Sequence, residues 1–196
     1  MSDYASAKVK YAGSTITLLQ RTKQIYSIVD DSLDDDLSYY LQLSGEAAES
    51  YTDNKLCLQE ATEKYPVVKY PVALRYWPFV SLTSVTEDGE DVTAEWETFL
   101  IDGISYATPS RTSDSLSRSY EQLVITYQTG YDPLPAELGE LLARAAINAS
   151  KQAAGPVKKE SIVGVGSVEY VTDDDVYGGF SASALSILDR YRRLYV

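Results

Sequence analysis

LVITYQTGYDPLPAELGELLARAAINA, residues 123–149, carries the change of period on which the fold turns. Its first part alternates, with Leu123, Ile125 and Tyr127 on one side of an extended chain. Gly130-Tyr131-Asp132-Pro133-Leu134-Pro135 then stops the strand and opens a helix. Prolines suit a first helical turn, and Glu137 complements the positive end of the helix dipole. Beyond it Leu138, Leu141, Leu142, Ala145, Ala146 and Ala149 form one apolar stripe at helical spacing, ended by Gly155-Pro156. The alanines in its second half predict the close approach of another helix.

Upstream the pattern is that of strands. Val72, Leu74 and Tyr76 alternate, as do Val80 and Leu82 before Val85. Asp88-Gly89 and Asp102-Gly103 are hairpin signals, and Pro66, Pro71 and Pro78 punctuate the entry. Residues 56–128 therefore read as a small antiparallel β unit with Trp77, Trp96 and Phe99 in core or hinge positions, and the Ser-rich stretch 109–119 as a mobile loop. Before it, 14–53 reads as a helical hairpin. A short helix spans Thr17 to Ser27 with Ile16, Leu19 and Tyr26 inward. A longer one is capped by Ser32 and buries Leu33, Leu37, Tyr40, Leu41, Ser44, Ala48 and Tyr51. After the central helix, 134–154, come an extended hairpin at 157–172 and a C-terminal helix and tail at 183–196, with Leu185, Leu188 and Tyr191 inward. The expected fold class is α+β, mainly α: a single domain over 1–196, built as a helical bundle with an inserted small antiparallel β unit and a C-terminal helix.

Composition narrows the chemistry. Of 196 residues, 44% are apolar and 23% charged, as in ordinary globular domains, and no stretch is long and apolar enough to span a membrane. The first residues lack an apolar segment behind a basic one, which predicts no secretory signal. Histidine is absent, so Ser-His-Asp and Cys-His catalysis are excluded, as are imidazole metal ligands. The single cysteine, Cys57, is expected to act as a small hydrophobe near a strand start. Net charge is −12, which disfavours general nucleic-acid binding. The 17 tyrosines against three phenylalanines suit either half-buried strand positions or surfaces solvated before assembly and buried after it.

The remaining motifs read as structural. Asp30 to Asp36 and Asp173-Asp174-Asp175 lack the oxygen order and the glycine of a calcium loop, so they read as a solvated helix start and a turn. Gly164-Val165-Gly166-Ser167 lacks the Lys-Ser/Thr of a phosphate loop and reads as a hairpin turn. Glu95, Glu97 and Asp102 flank Trp96, but alternating acids on an exposed strand explain them without a glycosidase site. No cofactor or metal is expected.

The order of the segments carries a resemblance. The acidic helical pair, then VALRYWPFVSLTSVTEDGE (72–90), LVITYQTGYDPLPAEL (123–138), KKESIVGVGSVEY (158–170) and LDRYRR (188–193) together resemble the head-tail adaptor, or connector, proteins of long-tailed bacteriophages. The likeness runs over nearly the whole chain and implies a non-enzymatic virion protein at the head-tail interface, made in the host cytoplasm. In that family the subunit forms a ring, commonly of twelve copies, on the portal protein. The ring extends the channel for double-stranded DNA without reading its sequence, and seats the next connector or tail-completion protein. On this expectation Asp34, Asp35, Asp36, Asp173, Asp174 and Asp175 are candidates for an acidic surface or lumen. Arg190, Tyr191, Arg192, Arg193, Leu194 and Tyr195 form a basic, aromatic terminus and are candidates for the portal interface. A chain cut after Asp189 is then expected to fold and to lose docking. The alternative for those residues is a basic last helical turn that complements the dipole. Competing functions are another phage structural or tail-completion protein, a ligand-binding β module carried by 56–128, and a carboxylate-based hydrolase that would depend on Glu95 or Glu97.

Overall fold

The computed structural model describes residues 3–66, 71–110, 121–153, 159–162, 166–169 and 179–192. In chain order the elements are β1 (Lys8–Tyr11), β2 (Ser14–Thr17), α1 (Leu18–Tyr26), α2 (Asp34–Thr52), β3 (Gln59–Tyr65), β4 (Val72–Ala73), β5 (Phe79–Glu87) and β6 (Glu90–Asp91). There follow β7 (Trp96–Ile101), β8 (Ile104–Pro109), β9 (Leu123–Thr129), α3 (Ala136–Ala153), β10 (Lys159–Ile162), β11 (Gly166–Glu169) and α4 (Ala182–Leu188), with a 3-10 turn at Asp189–Tyr191. The class is α+β. Among the described residues helix and strand are nearly balanced at 38% and 34%, so the expected emphasis on helix is corrected. Most of the strand lies in β3, β5, β7, β8 and β9, and the β1–β2 hairpin, expected as helix, adds to it.

The chain groups into two compact units, Asn54–Asp132 and Asp3–Asp53 with Pro133–Arg192. In the first, β3-β9-β5-β6 and β4-β8-β7 form two antiparallel sheets. They share a core of Ala61, Val72, Leu74, Val85, Trp96, Ala107, Leu123, Ile125 and Tyr127. β9 is the central strand and buries every second residue, as its alternation requires. β5 departs from its expected pattern because its register on β9 shifts between Phe79 and Ser81 and again between Leu82 and Ser84. The bulge leaves Val80 half exposed while Val85 is fully buried. Both Asp-Gly pairs turn two-residue hairpins with positive φ at each residue, 50° and 88° at Asp88 and Gly89, 49° and 82° at Asp102 and Gly103. Trp96 lies in the core; Trp77 packs edge-on to Tyr131, and Phe99 stacks on Tyr106 with ring centres 5.6 Å apart. Pro109 ends β8 rather than opening the loop, and Ser110 donates its N–H to Glu95 O at 2.7 Å. The rest of the loop lies outside the described residues.

A carboxylate binds this unit internally. Glu63 of β3 accepts the hydroxyls of Tyr65 and Tyr127 and, at 2.9 Å, the N–H of Arg75. The Tyr127 oxygen in turn accepts the N–H of Tyr76 at 3.0 Å. Burial first, then the Glu63 charge, pushes the Tyr127 phenol far above its ordinary range, so it stays a neutral donor.

The second unit is helical around α3. Leu138, Leu141, Leu142, Ala145 and Ala146 are buried and Ala149 half-buried, and Ala143 and Ile147 widen the buried arc so that α3 is covered on most sides. α2 buries Leu37, Leu41, Ser44, Gly45, Ala48 and Thr52. Tyr4, fully buried, lies on α2 at Gly45 and donates its hydroxyl to Glu49 at 2.7 Å. Two expectations fail here. Ser14–Thr17 pairs with Lys8–Tyr11 as a hairpin instead of starting a helix, so Ile16 is a half-buried strand residue and the helix that follows buries Leu18 rather than Leu19. Thr17 closes that helix with a capping box to Gln20. Ser32 is not the cap of α2: its N–H and hydroxyl both turn back to Asp30, so Leu33 takes the position without a side-chain bond, and remains largely exposed.

Candidate assembly interface

The C-terminal residues are assembled on α3 and α2. Gly179 lies against α3 at Ala145, Phe180 is buried, Ser181 caps α4 by accepting the N–H of Ala184, and Leu188 is fully buried. The helix then tightens into the 3-10 turn, and Arg192 leaves in extended conformation. Glu137, in the first turn of α3, accepts Arg190 Nη2 at 2.8 Å and the Tyr191 hydroxyl. Tyr51 of α2 donates its hydroxyl to Asp189 at 2.8 Å, and the Arg192 guanidinium lies over its ring, 5.7 Å from the centre. That hydrogen bond to Asp189 raises the Tyr51 pKa above its ordinary value, with Arg192 opposing it.

The six residues expected at the portal interface thus have different surroundings. Tyr191 is an anchor, only 8% exposed. Arg190 keeps an exposed side chain while paired to Glu137, and Arg192 is exposed. Arg193, Leu194 and Tyr195 lie outside the described residues. The acidic candidates divide likewise. Asp34 shares the Lys23 ammonium with Asp31, at 2.7 and 2.5 Å, which raises the Lys23 pKa. Asp35 and Asp36 are exposed in the first turn of α2. Asp173, Asp174 and Asp175 lie outside the described residues.

Sequence reasoning missed a further group. Arg21 of α1 is buried, bonded to Glu140 of α3 at 2.6 Å, with its guanidinium 3.6 Å above the centre of the Tyr11 ring. The first contact joins residues 119 apart in sequence, and no local pattern announces it. Glu97 is exposed on β7 and Asp102 sits in the turn beyond it. Cys57 is buried two residues before β3. Among the described residues no three acidic or cysteine side chains converge as a metal site requires.

No family model matches the chain, and no curated protein matches it. Solved structures do. The chain is similar to one in the neck of an empty gene transfer agent particle computed with C6 symmetry, with a TM-score of 0.61, 14% identity, and coverage of 96% of this chain and 95% of that one. A chain in the virion of the native gene transfer agent particle gives 0.60 at 12% identity, covering 92% and 91%. One in the neck of the native particle computed with C12 symmetry gives 0.55 at 14%, covering 89% of each. At such identities the likeness is one of fold. It extends over both helical and β parts of the chain and of its neighbours.

Proposed function

We propose that this chain is a structural subunit of the head-tail neck of a phage-like particle, in which copies form a ring on the portal, prolong the DNA channel and seat the next connector or tail-completion protein. The observation that carries this reading is the likeness, over nearly the full length, to chains of gene transfer agent necks computed with C6 and C12 symmetry. Charge supports it: with −12 per subunit, a ring presents a negative lumen that DNA passes without adhering. Asp34, Asp35 and Asp36 are the described candidates for that surface, Asp34 being paired to Lys23.

In this reading the residues around Glu137 serve as the base from which the tail projects toward the portal. A cut after Asp189 removes a buried tyrosine and two partners of Glu137, so it tests folding as much as docking. A chain ending at Arg192 separates the two. It keeps Tyr191 and both partners of Glu137, so it should retain the fold of the full chain by circular dichroism, and should no longer co-sediment with portal rings. Undiminished co-sedimentation would exclude the tail as the docking element.

A further inference from the structure

Asp189 and Arg192 close the same tight turn, the Arg192 N–H donating to the Asp189 carbonyl at 3.3 Å. Such a turn brings side chains three apart to the same side, so a carboxylate and a guanidinium placed there pair unless another group holds them apart. Among the described residues Arg192 has no ion pair, with Asp189 or with any other carboxylate. Tyr51 of α2 engages both partners separately. Its hydroxyl donates to Asp189 Oδ1 at 2.8 Å, while the Arg192 guanidinium lies over its ring, 5.7 Å from the centre.

Arg190, two residues earlier, is spent on Glu137. Arg192 is exposed, and its one contact is with the face of an aromatic ring. A guanidinium held by a ring keeps its N–H donors for a partner, and the planar fork of those donors matches a carboxylate with two parallel hydrogen bonds. Duplex DNA fits this position poorly. Its binding grows with the number of cations that neutralise phosphates, whereas here one guanidinium stands next to Asp189, with Glu137 on the two residues before it, in a chain of net charge −12. A single forked pair with a carboxylate needs no array of cations.

We propose that Arg192, at the root of the tail, binds a carboxylate on the portal surface, and that Tyr51 is the positioning residue that keeps it available by engaging Asp189. The proposal rests on the portal-docking reading above and adds the chemistry of the contact. Full-length chains make the test, because a chain ending at Arg192 carries a new carboxylate on that very residue.

The affinity for portal rings of the parent and of four variants, each first confirmed folded by its melting curve, decides it. Arg192→Lys keeps the charge but loses the fork, and should bind about tenfold more weakly. Tyr51→Phe keeps a ring under Arg192 and releases Asp189 to pair with it, which should weaken binding roughly threefold. Asp189→Asn alone should bind as the parent does. Added to Tyr51→Phe it removes the competing carboxylate and should restore the parent affinity, a rescue that a merely structural role for Tyr51 would not give. Tyr51→Phe chains that bind like the parent, or that Asp189→Asn fails to rescue, would overturn the positioning role. Portal rings whose carboxylates have been amidated should bind the parent and Arg192→Lys alike; a difference that survives amidation would overturn the carboxylate assignment. If the variants lowered retention of duplex DNA and left portal binding unchanged, the site would be a phosphate contact and the proposal would fail. A parent chain that binds no portal ring at any concentration would overturn the docking reading itself, and this proposal with it.

Discussion

Tyr127→Ala should lower the stability of the 54–132 unit by about 4 kcal/mol, the cost of deleting a buried aromatic ring, and its melting temperature by roughly 20 °C. The ring is fully buried at the centre of the sandwich, on the strand that pairs with both β3 and β5. Removing it opens a cavity and takes the acceptor from the Tyr76 N–H, while Glu63 Oε1 keeps the Arg75 N–H. Tyr127→Phe keeps the ring and isolates the second effect, at about 2 kcal/mol. A further signature is alkaline. The unfolded phenol ionises above pH 10 while the buried one stays protonated, so the native state holds the extra proton and stability falls as pH rises, by about 1.4 kcal/mol per pH unit from this group. Chemical denaturation from pH 8 to 11 should show that slope in the parent and a smaller one in Tyr127→Phe, with Tyr131, pushed up to about 12 by burial, supplying part of the remainder.

Gly179→Ala should detach the C-terminal segment. Gly179 has a φ of +89°, where an L side chain is strained, and a Cβ there would stand 2.6 Å from the carbonyl oxygen of Ala145. That oxygen belongs to the backbone of α3 and cannot swing aside as a side chain end can. Strain and collision together cost about 3 kcal/mol, and Ala145→Gly gives no relief because the oxygen remains. The expected result is fast amide exchange over 179–192, with Phe180, Leu188 and Tyr191 released from the core and the base of the tail lost. Exchange mass spectrometry reads this directly, and docking on portal rings should weaken in parallel. Exchange as slow as in the parent would show that the segment is not seated through this contact.

What could be read from sequence had a local cause. Alternation at Leu123, Ile125 and Tyr127 marks β9 because one side of that strand faces the core throughout, and the Leu-Ala stripe marks α3 because helical spacing alone sets its face. The two Asp-Gly turns were legible because that dipeptide tolerates positive φ. Ala12-Gly13 makes the same kind of turn, with φ of 47° and 83°, yet Ala is a poor residue for it, so the β1–β2 hairpin was hidden. Ser32 failed as a cap because its hydroxyl is turned back to donate to Asp30 and accepts no N–H of the first turn of α2. The candidate site was legible in part. A basic terminus shows in composition, but that Glu137 would hold Arg190 and bury Tyr191 depends on contacts more than fifty residues apart. Glu63 reads as one more exposed strand acid; only the register setting it opposite Ile125, diagonal to Tyr127, makes it a hub.

Electron microscopy of the purified chain mixed with portal rings tests the proposed role most directly. A closed ring of this subunit, stacked coaxially on the portal and enclosing an open channel, is the expected image. Portal rings that stay bare at saturating concentration, or that carry single copies with no rotational order, would contradict it.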